Sequence, residues 1–476
     1  MFKRSLTTLV LLGFLTLTGA GCGSAAAPAT PAPSTKPVTL QYWGVFTDSD
    51  DMNVLIAAFS KKHPNIRVEY RKFRPEEYEQ KLLEAFAEDR GPDLFTIHST
   101  WLPKYKSKLT PMPAKIAYPV FTQQGSGFNQ TTVVTSEERP GLSLKQLRDQ
   151  FVQTVEQDVM SEASATSSAK AIFALPFSVD SLALYYNKDL LAQNTIIKPA
   201  ADWNQLREHS AKIVRRIKDT DTITQPAVAM GTAANVHRSG DILVALMGQN
   251  GANIIDPLTG GFAFNVPGKA PLAEGEATPG ARALSFYLDF ANPLTSAYSW
   301  NESQGDALEA FADGKLAYYF GYSYDIGTIR SKNPRLNFDI AELPRFEKPS
   351  NIANYWMEAV ALKSKNKNEA WLFVMETATN KEALTKFLKT TRRASALTEV
   401  IQTQLEDVDL AVFAKQNLTA RSWYHGQDSA MADQILKELI DGVRLKLLNP
   451  SGEEIDAGRI IQDELNRAAK RLNDTI

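Results

Sequence analysis

The chain has 476 residues, a formal net charge of −2 at pH 7 and a single cysteine. Its length predicts two or three domain-sized units or one large bilobal fold, and the balanced charge argues against a nucleic-acid partner. One cysteine excludes an internal disulfide, and no two of the five histidines have i, i+4 spacing. HExxH, CxxC, Gly-x-Ser-x-Gly and phosphate-loop motifs are absent, so the sequence predicts neither a metal nor a cofactor.

Residues 1–21 have the pattern of a secretory signal peptide. Lys3 and Arg4 give a positive start, and the apolar run at 6–17 is too short to span a bilayer comfortably. Small residues follow and lead to Cys22. The sequence therefore predicts export, with Cys22 at or near the start of the mature chain.

A cysteine directly after a signal peptide resembles the start of a bacterial lipoprotein, and this resemblance implies lipidation of Cys22. Gly19 stands where lipoproteins usually have leucine, and ordinary cleavage near 25–27 is the alternative. Residues 22–37 are rich in Ala, Pro, Ser and Thr and predict an extended tether. Such a tether would hold a folded body away from the membrane surface.

The folded part opens with alternating strands and helices. Strands are predicted at 38–46, 66–73 and 93–98, with helices at 50–62 and from 75 onward. This alternation is the signature of a parallel α/β sheet. Because ligands of such sheets bind outside the carboxyl ends of the strands, the residues that follow each strand are candidates for a binding site.

The next part of the chain is less regular. Residues 108–141 predict a surface loop, 142–160 a single helix and 161–168 a small-residue linker. Residues 175–191 (LPFSVDSLALYYNKDLL) then predict two strands joined by a polar turn that contains Asp180, followed by a helix capped by Asn187.

The remainder alternates helices with a few strands around a Gly- and Pro-rich segment at 250–280. Helices are predicted at 203–216, 241–249, 279–291, 303–312, 325–331, 366–377, 381–389, 429–448 and 455–473, and strands at 315–320, 337–341 and 355–362.

Several sequence blocks occur in an order that resembles a known family. They are QYWGVF, GPDLFTIHSTWLPKY, LPFSVDSLALYYNKDLL, ALEAFADGKLAYYFGY and ALKSKNKNEAWLFVMETATNKEAL. Together they resemble an extracellular solute-binding protein of a carbohydrate-type ABC transporter, in the maltose-binding-protein-like superfamily. The resemblance covers about residues 38–400 and is poorest over 108–141, over 250–280 and at the C-terminal helices.

The resemblance implies an α/β fold of the periplasmic-binding-protein type. It is a two-lobe clamshell in which each lobe is a mostly parallel sheet flanked by helices, with hinge crossings between the lobes. Lobe 1 would hold 38–141 and 345–389, and lobe 2 would hold 142–344 and 390–476. The lobes would close on a ligand in the cleft.

The implied function is capture of a sugar or oligosaccharide and its delivery to the permease subunits of an ABC transporter. The protein would be a monomer without enzymatic activity. It would be held at the extracellular or periplasmic face of the cell membrane by its lipid anchor.

A sugar site needs carboxylates or amides for the hydroxyl groups and aromatic faces for the apolar side of the ring. Alternation in the strand near 356 places Trp356 and Glu358 on the same face. The candidate ligand contacts are Trp43, Phe46, Asp48, Glu77, Ser99, Trp101, Asp180, Trp300, Tyr322, Tyr324, Trp356 and Glu358. Trp300 is included because it lies in a polar loop before a helix, which is unusual for a core residue.

Some of these residue types have a structural alternative. Asp48 would equally cap the helix that follows it, and Glu77 would equally place favourable charge at a helix N-terminus. Arg392 and Arg393 lie at a predicted crossing between lobes, where they would serve either the ligand or the hinge.

Two other functions use the same features. A secreted glycan hydrolase would need paired carboxylates and aromatics, and Asp48, Asp180 and Glu358 would supply them. A surface sensor or adhesin would use the same binding fold. Turnover of a glycan distinguishes the first alternative from transport, and the absence of neighbouring permease genes distinguishes the second.

Overall fold

The computed structural model describes residues 36–125, 131–164, 166–218, 220–268, 272–346, 350–448 and 456–476. The predicted signal peptide, Cys22 and the tether as far as residue 35 lie outside the described residues.

Sixteen strands are assigned within the described residues, and most of them are short. In chain order they are β1 (Val38–Gly44), β2 (Ile66–Lys72), β3 (Leu94–His98), β4 (Lys115–Gln124), β5 (Thr131–Pro140), β6 (Met160–Ser164), β7 (Ser167–Ile172), β8 (Ala174–Leu175), β9 (Asp180–Ser181), β10 (Ala183–Asn187), β11 (Arg215–Arg216), β12 (Ile223–Gln225), β13 (Tyr318–Gly321), β14 (Phe338–Ala341), β15 (Ala353–Asn354) and β16 (Trp356–Val360).

Seventeen α-helices are assigned within the same residues. They are α1 (Ser49–Ser60), α2 (Pro75–Ala87), α3 (Leu102–Tyr105), α4 (Leu144–Gln150), α5 (Gln153–Val159), α6 (Lys188–Gln193), α7 (Trp203–Ile213), α8 (Ser239–Gln249), α9 (Pro279–Leu288), α10 (Ala307–Ala312), α11 (Asp325–Lys332), α12 (Lys367–Thr379), α13 (Lys381–Thr391), α14 (Thr398–Gln404), α15 (Ala411–Asn417), α16 (Ser429–Leu448) and α17 (Ala457–Asn473).

The first sheet has five strands in the order β2-β1-β3-β16-β8. Strand β1 runs parallel to β2 and β3, as the alternation of strands and helices predicts. Strand β16 runs antiparallel to β3 and β8. The carboxyl ends of β1 and β3 and the start of β16 therefore meet at the same edge of the sheet.

The second sheet has three strands in the order β13-β10-β14. Both neighbours of β10 run antiparallel to it, so the prediction of a mostly parallel sheet in each lobe is wrong for this sheet. Side-chain alternation is the same in parallel and antiparallel strands, so the pattern within these strands does not indicate their direction. The predicted α/β class is confirmed.

Three predicted segments have a different structure. The range 108–141, predicted as a loop, contains the paired antiparallel strands β4 and β5, and residues 161–164 and 167–168 of the predicted linker lie in the paired antiparallel strands β6 and β7. The predicted helix 142–160 is divided into α4 and α5. At the break the backbone is extended, and the Val152 N–H donates to the Ala396 carbonyl at 3.0 Å.

The segment 175–191 folds largely as predicted. Asn187 Oδ1 accepts hydrogen bonds from the backbone N–H groups of Asp189 and Leu190 at 3.0 and 3.1 Å, and so caps α6. Strand β8 lies in the range assigned to lobe 2, but Leu175 pairs with Glu358 in the first sheet. The chain leaves the first sheet only after β8.

Within the described residues, none of the helices is long and apolar enough to cross a membrane.

Candidate functional site

A cavity of about 400 Å³ lies between the two sheets. Its walls come from the ends of β1 and β3, the start of β16, the start of α11 and the residue before α8. The lining residues are Val45, Phe46, Thr47, Thr96, Phe177, Ser178, Asp180, Arg238, Tyr324, Thr328, Asn354, Tyr355, Trp356, Glu358, Phe387 and Arg393.

We define the first wall of the cavity by Phe46, Trp356 and Glu358. Aromatic rings make up most of this wall. The Trp356 indole lies 5.5 Å from the Phe46 ring and 5.2 Å from the Trp101 indole, measured between centroids. The rings of His98 and Tyr78 lie 5.4 and 6.2 Å from it. Aromatic pairs at these distances are favourable beyond their area burial, so Trp356 is held in one position.

Phe46 turns into the cavity through an unusual backbone conformation. Its φ of 54° lies in the left-handed region, which costs a non-glycine residue about 1–2 kcal/mol. The residue is 49% exposed, and the Phe46 carbonyl accepts a hydrogen bond from Arg393 Nη2 at 2.9 Å. This strained position aims an aromatic ring at the cavity.

Glu358 places a buried carboxyl group in the first wall. Tyr42 donates its hydroxyl to Glu358 Oε2 at 2.6 Å. Burial raises the pKa of Glu358 to about 8, although the hydrogen bond from Tyr42 and the charge of Arg393 oppose that rise. The carboxyl group is therefore largely protonated near pH 7 and is able to donate a hydrogen bond to a ligand hydroxyl.

The second wall, which we define by Asp180, Arg238 and Tyr324, includes a carboxyl group that is held by neutral donors. Ser323 donates both its backbone N–H and its hydroxyl to Asp180 Oδ2, at 2.9 and 2.7 Å. The Ser181 N–H donates to Oδ1 at 2.9 Å. Burial raises the pKa of Asp180 to about 7 despite these hydrogen bonds.

Arg238 and Tyr324 form the rest of the second wall. The Arg238 Nε–H donates to the Tyr324 hydroxyl at 3.1 Å, and the guanidinium lies 5.2 Å from the centroid of the Tyr322 ring. Tyr322 stacks on Tyr324 with 5.8 Å between ring centroids and donates its hydroxyl to Asp241 at 2.9 Å. The second wall is thus a polar network with aromatic faces.

Arg393 joins the cavity from the segment after α13. Its Nη1 donates to Thr47 Oγ1 at 3.0 Å, and burial lowers its pKa from the ordinary value. The adjacent Arg392 is exposed, is absent from the cavity lining and pairs with Asp409 at 3.2 Å. The sequence left both arginines as candidates for either the ligand or the hinge, and only Arg393 lines the cavity.

Five of the twelve predicted site residues line the cavity: Phe46, Asp180, Tyr324, Trp356 and Glu358. Two others support lining residues from behind. Trp101 contacts Trp356, and Tyr322 stacks on Tyr324. The alternation that put Trp356 and Glu358 on one face is consistent with their common position in the lining.

The structure does not bring the remaining five to the cavity. Trp300 is fully buried and donates its Nε1–H to Asn235 Oδ1 at 3.1 Å, so its position in a polar loop did not indicate exposure. Trp43 packs on Phe73 with 4.6 Å between centroids. Ser99 is buried, and its N–H donates to the Tyr355 carbonyl at 3.0 Å.

The two acidic residues of this group are at the surface. Asp48 pairs with Lys72 at 2.6 Å, and its side chain makes no capping hydrogen bond to α1. Glu77 lies in the first turn of α2 and pairs with Arg74 at 3.3 Å, and this hydrogen bond lowers the pKa of Glu77. Glu77 is therefore in the helix-terminus position that the sequence offered as its alternative.

Sequence reasoning missed several lining residues. Arg238 precedes α8 rather than following a strand, and no pattern around it indicates a site. Phe177, Asn354 and Phe387 read as ordinary core or strand positions. Among the described residues, no group of three or more His, Cys, Asp or Glu side chains is placed to hold a metal ion.

The cavity lies at the strand ends of an α/β fold, which is where such folds bind their ligands, and it combines aromatic faces with hydrogen-bonding groups. The chain belongs to the family described as bacterial extracellular solute-binding proteins, which its residues 54–412 match.

Solved structures share the fold at low sequence identity. The sugar-binding protein MalE from Xanthomonas citri is 17% identical with a TM-score of 0.65, and the match covers 92% of this chain and 98% of that one. A cyclo/maltodextrin-binding protein complexed with maltotetraose has 17% identity and a TM-score of 0.65, with 93% and 98% coverage. An ABC transporter solute-binding protein from Thermotoga lettingae, bound with α-D-tagatose, has 17% identity and a TM-score of 0.62, with 91% and 100% coverage.

A curated relative from Brucella abortus (strain 2308), named as a binding protein, is 21% identical over 316 residues. The match covers 66% of this chain and 65% of the length of that relative.

Proposed function

We propose that the protein captures a sugar or oligosaccharide in the cavity between its two sheets and delivers it to an ABC-type permease. The observation that carries this proposal concerns Phe46 and Tyr324. Of the Phe, Tyr and Trp residues that the structure describes, only these two are exposed, and they line the cavity from opposite walls. Water-exposed aromatic faces in a concave site suit the apolar faces of sugar rings.

The polar groups of the cavity support the same ligand class. Hydrogen-bonding groups surround the aromatic faces, and they belong to Asp180, Glu358, Asn354, Arg238 and Arg393. The solved structures of similar fold include a sugar-binding protein and complexes with maltotetraose and tagatose. A small ligand that offers both hydroxyl edges and C–H faces fits this combination.

The ligand would be held by closure of two lobes. The lobes follow the sequence prediction, 38–141 with 345–389 and 142–344 with 390–476, except that the pairing of β8 with β16 favours a first crossing after Leu175. A ligand that contacts both walls binds the closed form better than the open form and so shifts the population towards closure. The protein would act as a monomer.

The cellular setting in this proposal is the outer face of the cell membrane, with the chain attached through lipidated Cys22. Membership of an extracellular solute-binding family supports export. Replacing Cys22 with serine should release the protein from the membrane fraction of expressing cells. Retention of the variant in that fraction would contradict the lipid anchor.

The central experiment is a thermal-shift and calorimetric screen of the purified protein against mono- and oligosaccharides. A ligand at about 100 times its Kd should stabilise the fold by ~2.7 kcal/mol. Tyr324→Ala should weaken binding of the best ligand at least fivefold. Leu294→Ala, a control at a side chain that is 93% exposed and outside the cavity lining, should not change it.

The same samples separate transport binding from hydrolysis. The bound oligosaccharide should be recovered unaltered after hours of incubation, because binding is the whole activity in this proposal. Appearance of shorter products, lost in Glu358→Gln, would instead support the hydrolase alternative. If no saccharide produces a shift or a binding isotherm, the proposed function is wrong.

A further inference from the structure

The acidic groups of the cavity are already paired with neutral donors of the protein. Both oxygens of Asp180 accept hydrogen bonds, from the Ser181 N–H and from the N–H and hydroxyl of Ser323. Glu358 Oε2 accepts from the Tyr42 hydroxyl. These carboxyl groups are therefore not held in contact with the guanidinium groups of the cavity.

Arg393, in contrast, lacks a close carboxylate within the part of the chain that the structure describes. Arg393 donates to Thr47 Oγ1 and to the Phe46 carbonyl, which are both neutral. Across the described ranges, no carboxylate lies within 4 Å of the Arg393 guanidinium in an ion pair. A partly buried cation whose nearest acceptors are neutral is costly, and an anion placed beside it recovers that cost.

Arg238, on the other wall, has a carboxylate partner, Asp241, at the limit of ion-pair distance. Its hydrogen-bond acceptor is the Tyr324 hydroxyl, and its Nη1 is 4.0 Å from Asp241 Oδ2. Asp241 already accepts hydrogen bonds from Trp423 Nε1 and from the Tyr322 hydroxyl, both at 2.9 Å. The carboxylate nearest to Arg238 is thus used to hold aromatic side chains.

We propose that the cavity takes an acidic saccharide, in which an anionic substituent pairs with Arg393 and Arg238 while the sugar ring lies against the aromatic faces. This inference rests on the proposed function, because it names the substrate class of the same site. Guanidinium groups form short, charge-assisted hydrogen bonds with carboxylates and phosphates. Burial also raises the pKa values of Asp180 and Glu358 to about 7 and 8, so near pH 7 Glu358 is mostly neutral and Asp180 about half neutral, and the two carboxyl groups offset only part of the two positive charges.

The test compares matched sugars by calorimetry on the purified protein. The pairs are galacturonate with galactose, glucuronate with glucose, the corresponding disaccharides, and glucose 6-phosphate with glucose. The best acidic sugar should bind at least tenfold more tightly than its neutral partner. The uronate and phosphate arms identify which anion the site prefers.

Variants then assign the preference to the two arginines. Arg393→Gln should weaken binding of the acidic sugar at least tenfold more than binding of its neutral partner, so that the preference for the acidic sugar is lost. Arg392→Gln is the matched control, because the neighbouring residue lies outside the lining and pairs with Asp409. If Arg393→Gln does not fold, as judged by circular dichroism, Arg238→Gln carries the same test.

The outcomes separate this inference from the proposed function. Neutral sugars that bind as tightly as their acidic partners would overturn the acidic-saccharide proposal and leave sugar capture intact. A tenfold acidic preference that survives in both Arg393→Gln and Arg238→Gln would overturn the assignment to these residues. Absence of binding by every neutral and acidic sugar would overturn the proposed function itself.

Discussion

The two walls of the cavity are built by different physical means. In the first wall, Trp356 is surrounded by the rings of Phe46, Trp101, His98 and Tyr78. In the second wall, the side chains are positioned by hydrogen bonds and by a guanidinium that lies over aromatic faces. Packing fixes the first wall, and a polar network fixes the second.

This difference predicts how each wall responds to change. The ring packing of the first wall is lost with volume, because the removal of a large side chain leaves a cavity, and pH acts on this wall through its buried carboxyl group, Glu358. A buried polar network is sensitive to the loss of any member, since each lost partner leaves another group unsatisfied. The predictions below test this comparison, beginning with the largest expected effect.

Trp356→Ala should have the largest effect. Loss of the indole removes contacts with several rings of the first wall, and the expected cost is about 3 kcal/mol of unfolding free energy. Sugar affinity should also fall at least tenfold, because the platform for the ring is gone. Urea denaturation and calorimetry measure the two quantities.

Trp43→Ala is the matched control, because Trp43 is also half-buried in the first sheet but is absent from the cavity lining. It should lose stability and keep its affinity. If Trp356→Ala binds as tightly as the parent protein, the first wall is not a ligand platform.

The pH dependence of the free energy of unfolding should reveal the titration of Glu358, the buried carboxyl group of the first wall. Burial raises the pKa of Glu358 from 4.5 to about 8, so between these values the folded chain keeps a proton that the unfolded chain has released. Stability is then fully present below pH 4.5 and falls as the pH rises towards 8. One such group contributes a slope of at most about 1.4 kcal/mol per pH unit, or roughly 2 kcal/mol between pH 5 and 7.

Glu358→Gln cannot release a proton, and its stability curve should therefore be flatter than that of the parent protein over this range. The pKa values of Asp180 and Asp325 are also raised by burial. Both residues remain in both proteins, so their contributions to the pH dependence cancel in the comparison. Parallel curves for the two proteins would contradict a buried, protonated Glu358.

Asp325→Ala tests the polar network of the second wall. Asp325 Oδ2 accepts from the Tyr319 hydroxyl at 3.0 Å and from the Tyr322 N–H at 3.1 Å, and the carboxyl is 4% exposed. Its removal leaves two buried donors unsatisfied, with an expected cost of about 1.5 kcal/mol. The free energy of unfolding in urea measures the loss.

Asp313→Ala provides the comparison for Asp325→Ala. Asp313 pairs with Lys315 at 3.0 Å near the surface, where an ion pair contributes about 0–1 kcal/mol. If the two variants lose the same stability, the second wall does not depend on its buried hydrogen bonds.

The sequence predicted the parts of the site that follow directly from strand ends. Phe46 follows β1, Tyr324 follows β13, and Trp356 and Glu358 open β16, so local position was enough to select them. Whether a side chain lines the cavity or packs behind its wall depends on the tertiary structure. No local pattern separates Trp356, which lines the cavity, from Trp101, which supports it. The same limit explains Trp300, whose polar neighbours do not reveal that its indole is buried.

Prediction of the fold had corresponding limits. The parallel arrangement of β1, β2 and β3 followed from their alternation with helices. The antiparallel pair β4–β5 could not be predicted in this way, because β5 is largely exposed and lacks an apolar alternation. Pro119 within β4 also argued for a loop, although a two-stranded ribbon tolerates proline at an edge.

The smallest expected effect concerns the backbone of Phe46, the residue that directs the first wall into the cavity. Phe46→Gly and Phe46→Ala both remove the ring and should weaken sugar binding equally. They differ in backbone strain, because glycine accepts the φ of 54° while alanine does not. The glycine variant should be more stable by about 1 kcal/mol, net of the added freedom of its unfolded chain. Urea denaturation of both variants measures this difference, and greater stability of the alanine variant would mean that the left-handed turn is not a source of strain.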